Sequence, residues 1–372
     1  MAQAGGVRGV DTTGTGRSTV TAADWRLSDE VPERVAASCL YDSAGWLRAW
    51  EDIGIEKRSR HAYVHTDPEH PDGASVLPLY AVHECPFWDG YERQVDLVGR
   101  FGNPVIFAGS PYSMYGKRGH VPAALVRGAH ATAMEWIASG PAELLVVPNL
   151  TEEGVADWLE TAGPPVGRIL LERTYSCDLD LDAGFDQHMF RVTNKIRRDV
   201  QRRLRRADER GLTIRMVEGP EAHALVPAAY PLTVDTSDKN DWPALFDEDA
   251  LHGMLRVPGA MMVAAEVHGR LVGAFFAFRR GSEVTFMCGG VAYATLHDLS
   301  TYVALMYRST EWAYEQGMRR LEWGRDNYRF KERHALTGTD LWALVYAPEP
   351  RPDLEPALAH MDRVLSAYIR GD

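Results

Sequence analysis

Three short apolar runs in direct succession, Ala260–Val267, Arg270–Arg279 and Glu283–Cys288, limit the fold more than any other stretch of the chain. Each has the length and the β-branched or aromatic content of a strand. The dipeptides His268-Gly269 and Arg280-Gly281 between them are tight-turn signals, because glycine supplies the positive φ that such turns need. The spacing therefore predicts a three-stranded antiparallel meander. Its flanks are helical. Upstream, Phe190–Arg210 places Val192, Ile196, Val200, Leu204 and Ala207 at steps of four and three residues, one apolar stripe, with Gly211 as the stop. Thr213–Val217 then reads as a strand and Glu221–Leu255 as helical. Downstream come a helix at Leu299–Gln316 closed by Gly317, a strand at Arg319–Trp323, a polar loop holding Lys331, a strand at Leu341–Tyr346 and a helix at Leu354–Ile369.

The first half mixes the same two periods. Asp42–Gly54 reads as a helix capped by Asp42 or Ser43 and ended by Gly54. Extended segments are expected at His61–Thr66, Ser75–Val82 and Gln94–Val98. A helix at Pro122–Ser139, a strand at Glu143–Val147, a helix at Glu152–Thr161 and a strand at Arg168–Leu179 follow. At 372 residues the chain is long for one core. The expected organisation is a mobile Gly/Thr/Ser-rich tail (1–24), an α/β domain (25–182) and a second domain (183–372) of the α+β kind, each a mostly antiparallel sheet flanked by helices.

Composition removes several classes of function. Apolar residues make up 45% and charged residues 25%, the values of a globular protein rather than a disordered one. No run of 18 apolar residues exists, and the N-terminus has no apolar core, so neither a membrane span nor a secretory leader is expected. Four dispersed cysteines fit reduced thiols, and a cytoplasmic location follows as an expectation. No metal is expected: His61 and His65 are four apart in an extended segment with no third ligand. The N-terminal glycines lack a preceding strand, and there is no Walker loop or nucleophile elbow. The net charge of −12 argues against a broad nucleic-acid surface, yet Phe190–Arg215 holds ten basic residues against three acidic ones. That local surplus of seven leaves −19 for the rest and points to a localised anionic ligand.

Three ordered segments carry a resemblance. These are TNKIRRDVQRRLRRADERG (Thr193–Gly211), MMVAAEVHGRLVGAFFAFRRGSEVTFMCGG (Met261–Gly290) and EWAYEQGMRRLEWGRDNYRFK (Glu311–Lys331). Together they resemble the Fem-type, peptidoglycan-biosynthesis-like branch of the GNAT acyltransferase superfamily over Gln187–Tyr346. The resemblance implies tandem GNAT-like domains and transfer of an acyl group to an amine. It also implies a donor that is aminoacyl-tRNA or acyl-CoA, and peptide or small-molecule acceptors; no bound cofactor is implied. The usual coenzyme A loop, Arg/Gln-x-x-Gly-x-Gly/Ala, has no counterpart in Ala292–Ser300, which tilts the expectation towards aminoacyl-tRNA. An acyl-CoA-dependent N-acetyltransferase, or a non-catalytic GNAT-like binding domain, is the alternative.

The resemblance makes Lys331 a candidate for stabilising the transition state or the donor's phosphate end, against the plain reading of a solvated loop lysine. It places acceptor contacts in the polar stretch holding Asp235, Asp238 and Lys239, which otherwise reads as an exposed loop. Two further readings come from the residues alone. Asp326, just after a strand, either takes the amine's proton or caps the next turn. Arg198, Arg202 and Arg205 share one helical face, where they either hold a phosphate-bearing donor or keep that face in water.

Overall fold

A computed structural model describes residues 24–67, 70–110, 119–240, 242 and 244–371. All but the last residue of the expected tail lies outside the described residues. The first half runs β1 (Arg26–Ser28), α1 (Ala44–Ile53), β2 (Lys57–His65), β3 (Val76–Glu84), α2 (Pro86–Gln94), β4 (Val105–Ala108), α3 (Ala123–Ser139), β5 (Leu145–Leu150), α4 (Glu152–Ala162) and β6 (Gly167–Asp178). The second half opens with α5 (Gly184–His188), α6 (Asn194–Glu209), β7 (Leu212–Val217), α7 (Gly219–Lys239) and α8 (Glu248–Met254). Then come β8 (Ala260–Val267), β9 (Arg270–Arg280), β10 (Glu283–Val291), α9 (Tyr293–Leu299), α10 (Thr301–Glu315), β11 (Arg320–Gly324), α11 (Tyr328–Arg333), β12 (Thr337–Tyr346) and α12 (Glu355–Arg370).

The meander forms as its turns dictate. His268 and Gly269 both take positive φ, 50° and 74°, and Val267 pairs with Arg270, a two-residue hairpin. The second turn sits one residue later than expected. Arg280 still pairs with Glu283, so Gly281 (φ 57°) and Ser282 make the loop. Helix α1 starts on Ser43, whose hydroxyl accepts from the Trp46 amide, and ends on left-handed Gly54. Helix α6 is capped by Thr193, which accepts from the Ile196 amide, and Gly211 (φ 74°) stops it.

One twelve-stranded sheet runs through both halves, in the order β1-β2-β3-β4-β5-β12-β6-β11-β10-β9-β8-β7. Strand β12, from the end of the chain, lies between β5 and β6 of the first half and pairs antiparallel with both. Strand β6 in turn pairs with β11. The largest core is shared as well: Trp46 of α1 meets Phe278 of β9 edge-on at 5.4 Å. Apolar burial across this seam holds the halves against each other, so a site at the seam has walls fixed from both sides.

Three expectations need correction. Gln94–Val98 is not a strand. Pro86 opens helix α2, Phe87, Trp88 and Tyr91 bury at helical spacing, and the chain then turns through Asp96 at φ 57°. Lys331 lies on the short helix α11 rather than in a loop, and β12 begins at Thr337 rather than Leu341. Asp235, Asp238 and Lys239 ride on the last turns of α7 rather than in an exposed loop.

Candidate active site

Where the halves meet, a cavity of about 1030 Å³ opens between α2, β6, α7, the β11–α11 turn and α12. A smaller one of about 350 Å³ adjoins it, between α7, β10, α9 and α10. Thr236, Asn240, Gly289, Asn327 and Phe330 line both, so the two are neighbours across a shared wall.

The turn at that wall is built by Lys331. Its ammonium is buried and donates to the carbonyls of Trp323 (2.9 Å), Gly324 (3.1 Å) and Arg325. An ammonium has three protons, and all three are used. Burial pushes the amine down to about 8, with Asp326 and Glu172 opposing the fall. The next two residues, Asp326 and Asn327, take left-handed φ of 63° and 51°. Consecutive left-handed residues other than glycine cost of order 1 kcal/mol each and persist only where the surroundings hold them. Among the described residues none hydrogen-bonds to the Asp326 carboxylate, which faces the larger cavity. The carboxyl is open to the cavity yet packed round by protein, and this desolvation lifts it above its ordinary range against the opposing charges of Lys331 and Arg325.

Behind it lies Glu172 on β6, whose role the sequence did not reveal. The Tyr91 hydroxyl donates to its Oε1 at 3.2 Å, and the Tyr328 hydroxyl donates to its Oε2 at 2.6 Å. Arg325 donates to the Tyr91 oxygen at 3.0 Å and also to Asn149. Burial, reinforced by the charge of Asp326, pushes Glu172 up to about 7. Its folded value lies above the ordinary 4.5, so the folded state holds an extra proton between the two. The stability this provides is present below the lower value and lost as pH rises through the upper one. Gln cannot ionise, so between about pH 5 and about pH 8 the Glu172→Gln protein should gain on wild type by roughly 2 kcal/mol. Urea midpoints at the two pH values measure this, and parallel shifts in both proteins would contradict it.

The wall contributed by α7 is a polar stripe: Thr233, Thr236, Ser237 and Asn240, spaced i, i+3, i+4, i+7. Of the residues expected here, Lys239 lines the smaller cavity with its ammonium 4.9 Å from the Tyr293 ring centre. Asp235 and Asp238 are exposed and outside both linings. The helical period of the threonines and serine was the available signal. Helix α7 reaches the sheet because β10 ends in glycines. A Cβ on Gly290 would lie 2.0 Å from the Leu232 carbonyl oxygen, and one on Gly289 would lie 2.3 Å from that of Ala274. Gly290 admits the α7 backbone and Gly289 admits the neighbouring strand β9; both lie within strand β10. The following stretch, Tyr293–Leu299, is coiled as α9.

Helix α6 brings Arg203 to the smaller cavity, where its Nε donates to Asp199 at 2.7 Å. Arg198, Arg202 and Arg205 are exposed outside both linings, and Arg202 is itself paired with Asp199. The three lie opposite the apolar stripe, the face that meets water, whereas Arg203 flanks the stripe and so reaches a neighbouring element. Cys288 lines the larger cavity with its thiol pushed up to about 12 by burial, a poor nucleophile at neutral pH. His61 and His65 each bond a backbone carbonyl. Among the described residues no group of three His, Cys, Asp or Glu is placed to hold a metal, and no helix is long and apolar enough to cross a membrane.

Residues 194–332 match the family model of the acetyltransferase (GNAT) domain. The second half carries a GNAT domain. The segment includes α6, the meander, and the Lys331–Asp326 turn. Over the whole chain the fold is similar to the crystal structure of FemX. That likeness has a TM-score of 0.56 and 10% identity, covering 86% of this chain and 94% of that one. A conserved protein of unknown function from Bacteroides thetaiotaomicron gives 0.52 at 10% identity, over 86% and 94% of the two chains. The C-terminal domain of a protein provisionally named a lysylphosphatidylglycerol synthetase, from Agrobacterium fabrum, gives 0.51 at 11%, over 87% and 92%. These are likenesses of fold alone. No curated protein sequence matches the chain.

Proposed function

We propose that this GNAT protein is an N-acyltransferase that moves an aminoacyl group from aminoacyl-tRNA to the amine of a small-molecule or peptide acceptor. The observation that carries the reading is the unpartnered Asp326 carboxylate on a strained turn at the wall shared by two cavities. The larger cavity, with Asp326 and Glu172 in its wall, suits a cationic amine. The smaller one, with Arg203 and Lys239 in its lining, suits the phosphate-bearing end of a donor. The bound ammonium first loses one proton to solvent, and Asp326 takes a second as the neutral nitrogen attacks the donor's ester carbonyl carbon. The C–N bond forms, the bond to the ribose oxygen breaks, and that oxygen leaves with the proton that Asp326 took. Lys331 acts through the turn: with all three protons on carbonyls it positions Asp326 and touches no substrate.

Aminoacyl-tRNA is favoured over acyl-CoA by two features. The segment after β10 is a helix rather than a glycine loop, and α6 offers exposed arginines beside Arg203 on which an extended polyanion can lie. The co-substrate is consumed, and the reading needs no bound cofactor. The test supplies purified protein with cell extract and tRNA charged with mixed labelled amino acids, and follows RNase-resistant label in small molecules. Labelled acetyl-CoA is the parallel donor. Label arriving from charged tRNA alone is the expected result. Label from acetyl-CoA alone would replace the donor, and none from either would leave a binding domain.

A further inference from the structure

Arg325 precedes Asp326 on the β11–α11 turn and is buried where the halves meet. Its two ends are held by different halves. The Arg325 carbonyl accepts from the Lys331 ammonium, within the second half. The guanidinium donates to the Tyr91 oxygen of α2 at 3.0 Å and to the Asn149 side-chain oxygen of β5, and lies 5.7 Å from the ring centre of Phe87. Among the described residues both acceptors of that guanidinium belong to the first half, and its Nε meets none. Tyr91 in turn donates to Glu172. Adhesion of the halves does not call for such a group. The seam is already packed with apolar side chains, and these often hold an interior as well as buried ions of similar volume do. What a guanidinium adds is a positive charge at a fixed place.

Two cationic and two acidic side chains meet at this turn, Arg325 and Lys331 with Asp326 and Glu172. The hydroxyls of Tyr91, Tyr302, Tyr328 and Tyr368 also lie within electrostatic range of Asp326. Of the two cations, Lys331 is placed by its own turn and Arg325 by the first half. We infer that Arg325 is a positioning residue for Asp326, and that Tyr91 and Asn149 serve the reaction by fixing its guanidinium near that carboxyl. The first half is then a working part of the site rather than a buttress. The inference rests on the reading of Asp326 as the base and assigns the residues that keep it ionised. A nearby cation favours the charged carboxylate, so weakening that cation moves the ionised form to higher pH.

Two substitutions test it. Arg325→Gln removes the charge. Asn149→Asp keeps the shape, at a φ of 65° that Asp also tolerates, and answers the guanidinium with a negative charge. The first loosens the seam and the second adds an ion pair to it, so adhesion alone would separate them. The Asp326 carboxyl is followed by NMR in carbon-labelled aspartate protein without any ligand, its resonance assigned by its loss in Asp326→Asn. Transfer from charged tRNA and from acetyl-CoA to the amines of one cell extract is followed in parallel, so the acceptor's own titration is common to all proteins. In both variants the carboxyl should titrate about one pH unit higher than in wild type. Transfer should fall about tenfold at pH below the wild-type climb and recover at high pH. Arg325→Lys, which keeps the charge but not the planar fork, should stand between wild type and Arg325→Gln. A carboxyl unmoved in Asn149→Asp, or a loss of rate equal at every pH, would overturn the inference and leave Asp326 as the base. Carboxyls shifted as expected, with no transfer by wild type from either donor, would support the placement of the charge and overturn the acyl-transfer reading. If Arg325→Gln does not fold, Asn149→Asp decides alone.

Discussion

Lys331→Met is expected to lower kcat at least about 100-fold and to cost roughly 3 kcal/mol of stability. Three buried carbonyls, those of Trp323, Gly324 and Arg325, lose their donor together. Each unmet buried acceptor costs about 1–3 kcal/mol, partly offset because the buried ammonium no longer has to be desolvated. Once released, the turn relaxes the left-handed φ of Asp326 and Asn327, and the carboxylate leaves its place. A displacement of about 1 Å in a reacting group is worth about 100-fold in rate. The two losses must appear together, in urea midpoint and in kcat. A lysine that only touched the transition state would lower kcat while leaving stability unchanged or raised, since a buried cation had been removed. That outcome would return Lys331 to direct contact with substrate.

Gly290→Ala should destabilise the fold by about 3 kcal/mol. The added methyl lands 2.0 Å from the Leu232 carbonyl oxygen and 2.1 Å from its carbon, atoms of the α7 backbone that cannot rotate away. The helix must retreat as a body, although Ala222, Val226 and Ala229 hold it on the core. Overpacking of this kind costs about 1–3 kcal/mol with yielding side chains, and a helix backbone stands at the upper end. The Thr233–Asn240 stripe moves with it, so donor binding weakens as well. Gly317→Ala is the control: its φ is +68° but nothing lies within 4 Å, so it should cost only about 1 kcal/mol. Equal midpoint shifts for the two variants would show that α7 does not rest on Gly290.

These two residues also show how much was legible in the sequence. The meander, α6 and α10 were readable because their signals are local: turn glycines, stop glycines and a four-and-three apolar period. Lys331 was reachable through the order of motifs and Asp326 through its place after a strand, and the structure brings them together at one turn. Their division of labour was not readable, because it depends on where three carbonyls point. Gly290 was visible as a glycine, yet its reason, the approach of a helix some 60 positions earlier in the chain, is tertiary. Glu172 sits in a strand of ordinary appearance and becomes notable only when Tyr91, Tyr328 and Arg325 converge on it from distant parts of the chain. The strand exchange that places β12 between β5 and β6 was likewise outside any local pattern. The arginines of α6 mark a different limit. The face opposite the apolar stripe carries the most charge, but the flank, where Arg203 stands, is the part that meets a neighbour.

The most direct test of the central claim is the single-turnover rate of acyl transfer, measured from about pH 5 to about pH 9 in wild type and in Asp326→Asn, with donor binding measured separately. A positioned general base contributes about 10²–10⁴ in rate. Because the protein packed round it raises the exposed Asp326 carboxyl, the wild-type rate should climb through an apparent pKa above the ordinary carboxylate range. Glu172, which titrates alongside it, makes that value a property of the pair. Asp326→Asn should bind donor as wild type does, fall at least about 100-fold in rate and lose the climb. Matching rates and matching pH profiles in the two proteins would contradict the account, whatever the donor proves to be.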